Sequence, residues 1–401
     1  MIRHTTRLLV GIGLFLGQPL PAAVPPSAPP GRLVIVGGGL RADNEAVYRA
    51  ILAGRQGAGP LCIIPTAGAT PETAMDGPVR TFDGYGGAGT ARGVLISWAK
   101  LETARDPAVV AQLEGCSGFY FIGGVQSRVT AAFRPQGAST PAYDMLMQRW
   151  REGAVVSGSS AGAAIMSDPM IANGTSAGAF ARGLMQREGG AADDDSTAGM
   201  VLSAGLGLFP AALADQHFLA RGRFGRLLVA MLDLGRFDLA FGIDENTALV
   251  VDGDVVRTVG ASATTVFDAR GAQRTGRSAQ AVTMHLLGDG DSFDLRARRP
   301  TFATAKRPTT LVLADTVAAI TPPNIFAPWA FLRALDALSQ SSVRTVAWPV
   351  TGGTITLRKT DAFAAVRGNG TGVQGAAPQL GITGLALDIV RPPYERNAPP
   401  R

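Results

Sequence analysis

The chain's apolar residues fall in short unbroken runs rather than in long amphipathic stripes. Leu33-Val-Ile-Val36, Leu61-Cys-Ile-Ile64, Val94-Leu-Ile-Ser-Trp98, Gly118-Phe-Tyr-Phe-Ile122 and Ala154-Val-Val156 read as strands buried on both faces. Helical patterns fit Asn44 to Leu52, Pro107 to Glu114 and the stretch after Gln126, whereas residues 71–92, rich in glycine, read as a loop. Strands alternating with helices predict an α/β fold with a doubly wound, mostly parallel sheet. Ligands of such sheets bind beyond the carboxyl ends of the strands. Gly39, Gly68, Gly124 and Ser160 each follow a strand end, so they are expected on one rim. Further on, the pattern predicts a helix opened by the stretch Arg221 to Arg226 and running to about Leu234, and a strand at Leu239–Ile243. Hairpins follow over Thr247–Phe267, with Asp252-Gly253 as one turn. After about residue 275 the texture changes. Val282–Leu286, Leu311–Leu313 and Thr354–Leu357 read as strands between Gly- and Pro-rich linkers, with one helix at Ala327–Leu338. The expected organisation is an α/β domain over 31–270 and a C-terminal mixed or β-rich appendage over 275–401.

The amino terminus stands apart from this pattern. Arg3 and Arg7 precede an apolar run, Leu8 to Leu16, and small residues from Pro19 to Ala23, so residues 1–23 read as a secretory signal. The run is too short to span a bilayer, and no stable membrane anchor is expected. Residues 24–30 form a Pro-rich linker. The expected location is the periplasm or the medium. Charged residues make up 17% and hydrophobic ones 46%, which excludes a disordered chain. The net charge of +6 is carried by arginine, with no lysine-rich run and no aromatic-basic interleaving, so nucleic-acid binding is not expected. Gly37-Gly-Gly39 lacks the GxGxxG fingerprint, and no cofactor is expected. Cys62 and Cys116 show no metal-ligand spacing; they form either a disulfide or two buried thiols. The acidic stretch 188–199 reads as a solvated loop rather than a cation site.

The candidate chemistry centres on Gly158-Ser-Ser-Ala-Gly162. The apolar run before it and the helix-compatible Ala163–Met166 after it make a strand–turn–helix with Ser160 at the tip. Backbone N–H groups at the helix start can stabilise an oxyanion there. A serine nucleophile needs a base, usually histidine. The chain has His4, His217 and His285. His4 lies in the signal segment, and His285 alternates with apolar residues in Val282–Leu287 as a sheet-face residue would. His217, in the polar Asp215-Gln-His cluster, is the candidate base. Glu245 and Asp244, after a strand end, and Asp215 are the candidate carboxylates to orient it. The order Ser, His, acid differs from that of α/β-hydrolases. So few histidines also speak against a zinc site, and no metal is expected. Arg221, Arg223 and Arg226 crowd a helix N-terminus, where cations are disfavoured, which implies an anionic partner such as a substrate carboxylate.

Four segments together, Gly123-Gly-Val-Gln126, Gly158–Ala163, Asp215–Arg226 and Gly242-Ile-Asp-Glu245, resemble the cyanophycinases of serine peptidase family S51 over about residues 31–270. The resemblance implies a class I glutamine-amidotransferase-like fold. It implies an exopeptidase that hydrolyses cyanophycin, an arginine-bearing poly-aspartate, to β-Asp-Arg dipeptides. By the resemblance, Ser160 is the nucleophile, His217 the base and Glu245 its partner. Backbone amides of Gly124 and Ala161 form the oxyanion hole. Gln126, Asp215, Gln216, Arg221, Arg223 and Arg226 fall at substrate-pocket positions. A homodimer is also implied. One departure stands out: Val125 replaces the aspartate of the family's usual Gly-Gly-Asp-Gln, which leaves room for another β-aspartyl peptide as substrate.

Overall fold

The computed structural model describes residues 30–185, 199–311, 320–369 and 379–393. The signal segment, most of the Pro-rich linker, almost all of the acidic stretch 188–199 and residues 312–313 of one expected strand lie outside the described residues.

Two nine-stranded sheets organise the chain. The first is built on five parallel strands: β1 (Leu33–Val36), β2 (Leu61–Ile64), β3 (Ala91–Gly93), β4 (Gly118–Phe121) and β5 (Val155–Ser159), in the order β3-β2-β4-β5-β1. A pair, β6 (Met170–Asn173) and β7 (Val201–Ser203), stands off this sheet. The second sheet opens with β8 (Leu213–Asp215) beside a parallel β9 (Leu239–Ile243). The chain then returns: β10 (Thr247–Asp252) and β11 (Val255–Gly260) extend the first sheet antiparallel beyond β1, and β12 (Ala263–Asp268) goes back to β9. The later strands complete both sheets. The second receives β13 (Gln273–Thr275), β14 (Ser278–Gly288), β17 (Arg307–Pro308), β18 (Thr345–Val350), β19 (Gly353–Arg367) and β20 (Gly381–Val390). The first receives β15 (Ser292–Asp294) and β16 (Arg299–Thr301).

The described residues after 275 are β-rich, as expected, and their strands join both sheets. β14 pairs with β12 along six residues, Thr283 to Gly288, and β15 pairs with β11. The reason is exposure: without β14, the edge of β12 would be an unpaired ladder beside a buried face.

The helices are α1 (Glu45–Leu52), α2 (Pro71–Ala74), α3 (Asp76–Gly86), α4 (Pro107–Glu114), α5 (Gln126–Phe133), α6 (Pro141–Arg151), α7 (Ala161–Ala164), α8 (Ser176–Arg182), α9 (Phe224–Leu234) and α10 (Ala330–Ser339). Residues of β1 alternate between two cores, as a two-residue period requires. Leu33 and Ile35 join the core between the sheets, while Val34 and Val36 pack with Val47, Ile51 and Phe82 of α1 and α3. A third core lies between the second sheet and α8, α9 and α10. Cys62 and Cys116 are joined as a disulfide.

Two expectations fail in one region. Residues 71–92 are largely helical, not loop. Three glycines in α3 conceal the helix, yet Pro78 sits in its first turn, where a missing N–H breaks no intrahelical bond. Phe82 buries itself edge-on against Tyr48 and Tyr120 at 5.1 and 5.0 Å. The third strand is Ala91–Gly93, not Val94–Trp98. Val94 still bonds to β2 through its N–H, but Ile96 is buried off the ladder, its carbonyl taken by the Thr66 hydroxyl at 2.7 Å.

Candidate active site

The carboxyl ends of β1, β4, β5, β8 and β9 converge. β5 runs through Ser159 and the helix α7 starts at Ala161, so Ser160 alone turns the corner. Its φ of 56° and ψ of −109° are a conformation that non-glycine residues hold only under constraint. The constraint is visible: the Ser160 N–H donates to Val36 O at 3.0 Å, and its carbonyl accepts from Ala163 and Ala164. The turn is tight enough that a Cβ on Gly158 would lie 2.4 Å from the Gly162 carbonyl oxygen.

Across the turn stands His217. Its Nε2 is 2.8 Å from Ser160 Oγ, and its Nδ1 is 2.6 Å from Glu245 Oε1. A carboxylate only accepts, so Nδ1 carries the proton and Nε2 presents a lone pair to the serine hydroxyl. The backbone N–H of His217 is anchored on Gly37 O at 2.6 Å. Gly38, at φ +104°, leaves the space the imidazole fills; a Cβ there would sit 2.3 Å from the ring. Burial and the neighbouring Arg221 guanidinium push the His217 pKa down to about 4, against the opposing pull of Glu245.

The other candidate carboxylates are engaged elsewhere. Asp244 is buried and accepts from the Leu219 and Ala220 amides at 3.0 and 2.9 Å and from the Ser262 hydroxyl; burial raises its pKa to about 6. Asp215 grips Arg226 with two parallel bonds of 2.8 and 2.7 Å. His285 is a buried sheet-face residue 2.9 Å from the Thr383 hydroxyl, and burial pushes its pKa down to about 4.

A cleft of about 90 Å³ opens beside Ser160 and His217. Gly124, Gln126, Gln216, Arg221, Arg223 and Arg226 line it, with Ala172 and Asn173. These residues are not equivalent. Arg226 is fully committed, also donating to Gly174 O at 2.8 Å, and Asp215 lies behind it rather than in the cleft. Arg223 donates to Gln216 O at 3.1 Å. Arg221 is half exposed, with its Nε 3.7 Å from Glu245. Gln126 spends its amide nitrogen on the carbonyls of Ile171 and Ala172. Gln216 is the exception: its side-chain oxygen is buried without a hydrogen-bond partner among the described residues. Neither the Gly124 nor the Ala161 amide has an acceptor among the described residues. The Gly123-Gly124 corner packs against Ser160, and Gly124 lies so close to the Ala67 carbonyl that a Cβ would not fit. Val125 occupies the N-cap of α5 and offers its helix no side-chain acceptor.

Ala172 and Asn173 were not anticipated. They reach the cleft at the end of β6, a strand with no motif; only the Asn173-Gly174 dipeptide marks a turn there. Among the described residues no group of three or more His, Cys, Asp or Glu is placed to hold a metal, and no helix is long and apolar enough to cross a membrane.

The sequence profile of Peptidase family S51 matches residues 33–259, which span every element of this site. The chain belongs to peptidase family S51. It is a serine-type peptidase. Among curated proteins it is 30% identical over 289 residues to the cyanophycinase of Nostoc sp., covering 68% of this chain and 88% of that one. The Geminocystis herdmanii cyanophycinase is 29% identical over 60% of this chain and 84% of its own. A solved peptidase from an acI-B1 Actinobacterium is 21% identical, covering 66% of this chain and 97% of its own, with a TM-score of 0.46.

Proposed function

We propose that this S51 peptidase is exported and hydrolyses cyanophycin to β-Asp-Arg dipeptides through an acyl-enzyme on Ser160. The observation that carries the reading is the hydrogen-bonded series Ser160 Oγ, His217, Glu245 on the floor of an arginine-lined cleft. Ser160 Oγ attacks the scissile carbonyl as its proton passes to His217 Nε2. Glu245 holds the imidazole in the required tautomer and stabilises the cation. The Gly124 and Ala161 amides receive the oxyanion, a contribution of about 3 kcal/mol for one donor. His217 then gives its proton to the leaving amine, and water, deprotonated by the same imidazole, releases the acyl group.

Recognition follows from the charge and placement of the lining groups. Arg221, half exposed, and Arg223, which also lines the cleft, suit the substrate's carboxylates by charge and planar geometry. The Gln216 oxygen suits an N–H donor, which a guanidinium or amide supplies. The relatives named as cyanophycinases support this substrate class. Export is supported by the signal-like amino terminus and by the Cys62–Cys116 disulfide, which persists in oxidising compartments. Val125 favours a second reading, a shorter β-aspartyl peptide, because the α5 N-cap lacks the acid the family usually has there.

The test is release of β-Asp-Arg from purified cyanophycin by the mature protein and by Ser160→Ala. Release that disappears in the variant is expected, with kcat lowered by about 10⁴-fold or more. An intact polymer with folded wild type would refute the cyanophycin assignment, and cleavage of short β-aspartyl peptides alone would select the second reading.

A further inference from the structure

The turn that follows His217 carries Arg221, Arg223 and Arg226, and it is closed from behind by a segment far outside the S51 match. The Trp329 N–H donates to Leu219 O at 2.8 Å. Gly222, at φ +59°, lies so close to Phe326 that a Cβ would stand 1.9 Å from the Phe326 carbonyl oxygen. A Cβ on Gly225 would stand 2.7 Å from the Phe326 ring. The Phe224 ring, next to Arg223, stacks on Phe331 at 3.9 Å and leans on Phe326 at 5.1 Å. On the opposite side, the Ser176 hydroxyl donates to Gly222 O at 2.6 Å, and Asp244 holds the Leu219 and Ala220 amides.

The two glycines between the arginines are thus fitted to this segment. A turn with glycine at these positions has little side-chain packing of its own and more backbone freedom to lose. Its shape is set by what presses on it. We propose that Phe326 is a positioning residue of the cleft: its ring and carbonyl fix the 219–226 turn so that Arg221 and Arg223 meet the substrate's carboxylates. The part played by the arginines rests on the function proposed above. The serine and its base also have anchors outside this turn, although the Arg221 N–H donates to His217 O at 3.0 Å. His217 is tied to Gly37 O and Glu245, and Ser160 to Val36 O. Loss of the Phe326 ring therefore acts chiefly on substrate binding and, at neutral pH, leaves the Ser160–His217–Glu245 bonds in place.

The experiment compares Phe326→Ala and Phe326→Leu with wild type by three readouts: hydrogen exchange across residues 219–226, acylation of Ser160 by an uncharged fluorophosphonate, and steady-state hydrolysis of cyanophycin. For Phe326→Ala, faster exchange in 219–226 is expected, with unchanged acylation. KM should rise about tenfold with kcat within about twofold. Phe326→Leu refills most of the space and should recover most of the affinity; it also carries the comparison if the alanine variant fails to fold. Equal losses in acylation, kcat and KM would mean a general structural role and overturn the proposal, as would unchanged exchange and KM. If wild type leaves cyanophycin intact, the substrate assignment falls. Exchange and acylation then still decide the positioning: slow exchange in 219–226 without the ring sinks it.

Discussion

His217 is held between opposing influences. Burial and Arg221 disfavour its cation, while Glu245 favours it, and the balance lies near 4 rather than the ordinary 6.5. The imidazole is therefore neutral at neutral pH, as a base must be before attack. The acid limb of kcat/KM should stay flat from pH 7 to about 5 and fall near pH 4. Arg221→Gln should move that limb to higher pH, because one of the influences lowering the pKa is removed. A limb centred at 6.5 in wild type would show that burial does not control this group. Stability follows the same sign. The folded pKa of His217 lies below the unfolded one, as does that of His285, so protons bind first to the unfolded chain. The stability these two contribute is present above pH 6.5 and is lost as pH falls toward 4. At this scale the sequence was legible because histidine is scarce: of His217 and His285, only His217 had polar neighbours. The choice among Asp215, Asp244 and Glu245 was not legible from spacing. It depends on which strand ends face each other.

The single elements were read well where one signal dominated. Asn44 caps α1 and Asp106 caps α4, each accepting from a first-turn amide. Unbroken apolar runs gave β2 and β9. The failures, α3 and β3, lie where glycines dilute the helical pattern and where buried residues continue past the last paired one. The arginines at the start of α9 are a subtler case. Their crowding implies anionic partners, and for Arg226 the partner lies within the chain: Asp215, eleven residues earlier and buried with it. Pairs of this kind are costly to halve. Arg226→Met should lower stability by about 3–5 kcal/mol in urea unfolding, since it strands a buried carboxylate. Adding Asp215→Leu should restore most of that loss. An Arg226→Met protein as stable as wild type would mean that Asp215 takes up a proton or finds another donor without cost.

For the whole molecule, the change of texture near residue 275 marks the β-rich region, whose strands complete both sheets. Composition reports local chain character, whereas β-strands choose partners at long range, and neither periodicity nor turn signals reveal which edge a late strand will join. Here β14 covers the edge of β12, and β15 covers β11, so both sheets that support the site are finished by residues after 275. Buried side chains from both sides of that point share cores: Val266 and Phe241 with Leu287 and Phe293, and Phe224 and Leu228 with Phe331 and Leu335. Removing the late strands would leave the buried strand β12 with an unpaired edge and α9 without its cover. A fragment of residues 31–275 should therefore aggregate or lack a cooperative thermal transition, even though it contains Ser160, His217, Glu245 and the whole S51 match. Circular dichroism melting and fluorophosphonate labelling of the fragment beside the mature chain would measure this. A fragment that melts cooperatively and labels at the wild-type rate would mean that the first 275 residues fold alone and that the later strands only adorn them.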